Sequence, residues 1–252
     1  MRLNVVPAAL GRLAASLIAL FALALPAAAA DRALINMLGY SADGNEFAFE
    51  QFGVQDGSGF AFSDVFVVDL VNDKWTYGTP FEVQAEDESK SLGEVRAEAI
   101  AKAQDKLDEY KIEVPVQILA LIGDGDANER GTRLNWSTPA CCGAAQTQAD
   151  DFSLILETRG INSSEGYCQD MSPVGYNLRY QDQNGVKELH MDGDELPKSR
   201  GCTLDYTIYA VVQPFQDYYA SGFTSRRVAI IATYPFGFEG VDRRFIAVPI
   251  DK

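Results

Sequence analysis

The sequence predicts a mainly β fold, bordering on α+β: antiparallel sheets in one domain, with a single inserted amphipathic helix. Three observations lead there. Short apolar segments recur along the chain, separated by turns rich in Gly, Asn and Asp. Only the window 91–111 carries helical periodicity. Nothing between 31 and 252 reads as an interdomain linker, so one domain is expected there, behind a signal segment at 1–30.

The signal segment has three parts. Arg2 and Arg12 supply positive charge, Ala14 to Leu25 is apolar, and Ala28-Ala29-Ala30 follows Pro26 as a cleavage site. A spanning helix needs about 20 apolar residues, and this run is shorter. Cleavage is therefore expected, leaving a chain that starts near Asp31 in the periplasm or outside the cell. No later run is long enough to span a bilayer, so no membrane span is expected after cleavage.

The elements follow in order. Leu34 to Tyr40 is a short apolar strand, and Ser41-Ala42-Asp43-Gly44-Asn45 is a turn. Glu46 to Phe52 alternates, with Phe47 and Phe49 on one face. A glycine-rich connection from Val54 to Ser63 leads to a strand at Asp64 to Leu70. Trp75 to Val83 is a fourth extended piece, which completes a meander. Ser91 and Glu94 then form a capping box. Leu92, Val95, Ala99, Ala103, Leu107 and Tyr110 recur on one helical face. Glu98 and Lys102 pair on the other side. The helix should end near Lys111, ahead of Pro115. Further strands are expected at Val116 to Ile122, Phe152 to Thr158, Tyr206 to Gln213, Arg227 to Thr233 and Arg244 to Ile250. Tyr176 to Gln181 and Val186 to Met191 flank Asn184-Gly185, a hairpin signal.

The net charge of −15 includes two arginines of the signal and none of the 36 acids, so the mature chain is more acidic still. Such a surface repels nucleic acid, and no nucleic-acid partner is expected. The four cysteines, Cys141, Cys142, Cys168 and Cys202, suit a disulfide in an exported chain, with three pairings open.

Two segments carry a resemblance. GYSADGNEFAFEQFGVQDGSGFAFSDVFVVDL, from Gly39 to Leu70, is similar to a blade of the TolB-type β-propellers. With SRGCTLDY (Ser199 to Tyr206) and GFEGVDRRFIAV (Gly237 to Val248), it resembles more closely a family of bacterial predicted secreted proteins of unknown function. That resemblance implies no activity. It does imply that Cys168 and Cys202 belong to a common pattern and bridge each other. The Ser-x-Asp-Gly signature occurs once, whereas propellers repeat blades of roughly 40–45 residues. One blade-like four-stranded meander inside another β architecture is expected, with a small β-propeller as the alternative.

Candidate chemistry is sparse, and no catalytic residue is assigned. His190, the one histidine, lies on a hairpin strand, and no G-x-S-x-G accompanies it. Asp124, Asp126 and Asn128 have the spacing of the first three ligands of a calcium loop, but Glu129 and Asn135 break the rest. Asp192-Gly193-Asp194-Glu195 is a second acidic turn of that kind. Gly123-Asp124-Gly125 echoes a dinucleotide fingerprint, but Asn128 replaces its third glycine; no cofactor is expected, with calcium as the alternative. Phe215, Tyr218, Tyr219 and Phe223 cluster in one loop, and Tyr234, Phe236 and Phe238 in another. If these loops share one end of the fold, they form a contact surface. The expected function is a non-enzymatic binding or envelope-associated module for an envelope ligand or protein. The alternatives are a carboxylate-dependent hydrolase of an envelope polysaccharide and a calcium-stabilised structural protein.

Overall fold

A computed structural model describes residues 30–124, 131–137, 151–168, 170–215, 226–238 and 240–251. The first sheet is the expected meander. β1 (Leu34–Ser41), β2 (Glu46–Val54), β3 (Ala61–Asp69) and β4 (Lys74–Trp75) lie in the order β4-β3-β2-β1. β5 (Phe81–Gln84) also pairs with β3, and β6 (Ile112–Val114) adds to β1. The segment expected as one strand from Trp75 to Val83 is thus two. Gly78, at φ 89°, turns the chain between them, and Pro80 has no amide to give a ladder.

α1 (Leu92–Glu109) starts on the expected box. Ser91 N–H donates to Glu94 Oε2 at 2.8 Å, and Glu94 N–H donates to Ser91 Oγ at 3.3 Å. Its buried face is Val95, Ala99 and Ala103, laid on Ala61, Val65, Val83 and Ala85 of the first sheet. The small side chains let the helix sit close. One ion pair fixes its place. Glu50, wholly buried in β2, accepts from Arg96 Nε at 2.8 Å and Nη2 at 2.7 Å. Ser63 Oγ and Asn36 Nδ2 donate to the same carboxylate. Burial alone would raise the Glu50 carboxyl, but these donors together hold it below its usual value.

The central sheet runs β14-β13-β12-β7, from β7 (Val116–Leu121), β12 (Thr203–Pro214), β13 (Val228–Pro235) and β14 (Arg244–Pro249). The third runs β11-β10-β9-β8, from β8 (Arg133–Ser137), β9 (Asp151–Gly160), β10 (Val174–Asp182) and β11 (Gly185–Met191).

The central sheet is covered on both faces. Val228, Ile230 and Ala232 meet Phe47, Phe49 and Phe66 of the first sheet. Ala229 and Ile231, pointing the other way, meet Leu154, Leu156 and Leu178 of the third. That is why β13 is a continuous apolar run without alternation. The layers are helix, first sheet, central sheet and third sheet. This corrects the propeller alternative. α1 covers the outer face of the first sheet, and the outward side of β9 carries exposed Glu157. The stack therefore does not close on itself.

Candidate functional site

Of the aromatic residues singled out in the sequence, Phe215 and Phe236 lie at opposite ends of the β12–β13 pair. β12 and β13 are antiparallel, with Thr203 opposite Pro235 and Val212 opposite Val228. Exposed Phe215 follows β12, where its N–H donates to Pro115 O. Phe236 follows β13 at the far end, where its N–H donates to Cys202 O. Tyr234 packs against the core, with its hydroxyl 3.2 Å from Thr207 Oγ1. Phe238 is 90% exposed. Tyr218, Tyr219 and Phe223 lie outside the described residues, as do Cys141 and Cys142.

The calcium motif is only partly described, since Asp126 and Asn128 also lie outside. The Asp124 carboxylate accepts from the guanidinium of buried Arg243. In the second acidic turn Asp192 is buried, while Gly193, Asp194 and Glu195 are exposed. Among the described residues, no group of three or more His, Cys, Asp or Glu side chains is placed to hold a metal ion.

Asp192 instead anchors a polar cluster. Arg200 Nη1 donates to both its oxygens at 2.7 Å. Tyr176 N–H donates to Oδ2 at 2.9 Å, and His190 Nε2 lies 2.9 Å from Oδ1. The approach requires Gly175, because a Cβ there would stand 2.9 Å from that of Asp192. Local chain geometry delivers Arg200. It ends the short 3-10 turn Lys198–Arg200, and Gly201, at φ 55°, redirects the chain into β12. A Cys168–Cys202 disulfide pins the next residue. The guanidinium lies 4.9 Å from the Tyr176 ring centroid and 5.8 Å from that of Tyr206. His190 stacks on Tyr176 at 4.5 Å.

This cluster is one wall of a cleft of about 270 Å³. All three sheets contribute. Asp73, Lys74 and Trp75 come from the β3–β4 hairpin, Ile246 and Val248 from β14, and Tyr176 and His190 from the third sheet. Trp75 rests on Phe66 at 5.2 Å and leaves 41% of its surface exposed.

The carboxylate behind the cleft wall is already engaged by its donors. Burial pushes the Asp192 carboxyl up, but the bonds from His190 and the Tyr176 amide and the charge of Arg200 bring it below its usual value. Asp192 therefore stays an anion and has no proton to give to a leaving group. The hydrogen bonds of His190 run to Asp192 and Arg200. Ser199 lines the same cleft but is not joined to it as a nucleophile would be.

Residues 48–251 match the model of a family described as predicted secreted protein, a domain of unknown function. The chain belongs to that family. The matched stretch of this family member contains every wall of the cleft. No curated protein and no solved structure matches the chain. Among the described residues, no helix is long and apolar enough to cross a membrane.

Sequence reading missed this site because its walls lie 175 residues apart between Asp73 and Val248. Two local signals were present. The Arg200-Gly201-Cys202 step combines a cation, a turn residue and a bridged cysteine. Tyr176 and His190 come from adjoining strands, with His190 opposite Leu178.

Proposed function

We propose that this secreted-family protein is a non-enzymatic binding module of the cell envelope. Its ligand is a saccharide-like compound, polar at its rim and apolar on a ring face, received in the three-sheet cleft. One observation carries the reading: a half-exposed indole, Trp75, stands beside the donors Lys74 and Arg200 in a single concavity. An aromatic face with a few converging polar groups is the usual composition of a small-ligand site. The bound Asp192 carboxylate speaks against the hydrolase alternative at this cleft.

The test is a calorimetric titration with neutral and uronic-acid di- and trisaccharides. Trp75→Ala should weaken binding about thirtyfold, the loss of roughly 2 kcal/mol at an aromatic anchor. Its unfolding free energy should change by less than about 1 kcal/mol. Failure of the whole panel to bind, or unchanged affinity in the variant, would overturn the proposal.

A further inference from the structure

Asp31 is held by contacts on every side. Its N–H donates to Asp242 Oδ1 at 3.1 Å. Its carbonyl accepts from Arg243 N at 2.7 Å and from Arg244 Nη1 at 3.3 Å. Its carboxylate accepts from Asp56 N at 2.5 Å, in the β2–β3 connection. Two residues on, Ala33 O accepts from Arg243 Nε at 3.0 Å. This short stretch joins a loop of the first sheet to the start of β14 in the central one.

Its charges do not balance. The Asp31 and Asp242 carboxylates share Arg244, whose Nη2 lies 3.5 and 4.0 Å from them. Arg243 is committed to Asp124. Burial, with the Asp31 charge adding to it against Arg244, raises the Asp242 carboxyl. The Asp31 nitrogen aims at the Asp242 carboxylate, yet as a peptide nitrogen it brings no charge. The alanines before it, Ala27 to Ala30, have the small side chains that a signal peptidase needs.

We infer that the chain is cut between Ala30 and Asp31, and that the new α-ammonium of Asp31 completes this cluster as the ion-pair partner of Asp242. The step is hydrolysis. Water adds across the Ala30–Asp31 amide, the C–N bond breaks, the hydroxyl goes to the Ala30 carbonyl, and the amine takes up the released protons. Two carboxylates then face two cations. Maturation thereby fastens the first sheet to the central sheet.

The test has two arms. The full chain is exported from a bacterial host, and the product is sequenced from its N-terminus; Asp31-Arg32-Ala33-Leu34 is expected. Next, the melting temperature of the Asp31 form is compared with that of a form retaining Ala30, which keeps the Asp31 N–H bond but carries its ammonium one residue further from Asp242. The Asp31 form should melt about 3 °C higher, and Asp242→Asn should abolish the difference. Selective acetylation of the Asp31 amine removes the charge without any substitution. It should lower the melting point to that of the extended form, which keeps the question decidable even if Asp242→Asn does not fold. A product starting elsewhere overturns the inference. So do equal melting points in the two wild-type forms, or an acetylated form that melts unchanged.

Discussion

The interface between the central and third sheets carries an arginine–aspartate cluster at each end. At one end Arg227 Nη2 and Nε reach the two oxygens of Asp251 at 2.6 and 2.8 Å, and its Nη1 reaches the Tyr180 hydroxyl at 3.0 Å. The guanidinium lies over Phe152 and Tyr180. At the other end Arg200 holds Asp192 and lies over Tyr176 and Tyr206. The chemistry is the same: a planar cation between aromatic faces, with a carboxylate at its edge. The setting differs. The Asp251 side chain is 33% exposed and that of Asp192 only 3%. Only the Arg200 cluster has a histidine and opens on the cleft. One motif thus closes a sandwich at one end and forms the wall of a concavity at the other, and the exposure of the carboxylate should set how much each matters.

The sharpest way to break that comparison is to remove each arginine in turn. Arg200→Ala strands a buried carboxylate and should cost about 3–5 kcal/mol in urea unfolding. Arg227→Ala leaves Asp251 able to hydrate and should cost about 1–2 kcal/mol, with saccharide titration of the cleft unchanged. Equal losses would mean that burial does not separate the two clusters.

A smaller effect concerns acid. Asp192 is held below its ordinary value of 3.8 in the fold. Its contribution is therefore complete above that value and lost as pH falls through the lower folded one. Glu50 acts with the same sign from its ordinary value of 4.5. Melting curves from pH 7 down to pH 3 should show the wild type losing stability at the acid end. Asp192→Asn should start lower and fall less steeply. A parallel decline in both proteins would remove Asp192 from the account.

Local features were legible in the sequence; the joining of distant ones was not. The capping box at Ser91 and Glu94 located the start of α1, and the three-and-four spacing of Val95, Ala99 and Ala103 named its buried face. Asn184-Gly185 placed the β10–β11 turn. β8 went unread because only Leu134 and Trp136 mark its buried side, in a strand of five residues. β6 was hidden between the helix end and Pro115, and its three residues gain strand geometry only by pairing with β1. Asp192 followed by Gly193 looked like an open turn. Its burial depends on Arg200, eight residues on, and on Gly175 in another strand. Tertiary pairing decided that environment, and no periodicity records it.

β13 has a consequence beyond the folded state. Its stretch Val228-Ala229-Ile230-Ile231-Ala232-Thr233 has no charge, glycine or proline. Before both neighbouring sheets dock, such a stretch is a template for cross-strand aggregation. Arg226 and Arg227 stand directly ahead of it, as gatekeeper charges do. The arginine that binds Asp251 in the finished sandwich thus also guards the most adhesive strand while the chain is still unfolded. An Arg227 variant of tolerable stability should therefore still refold in poor yield at high protein concentration.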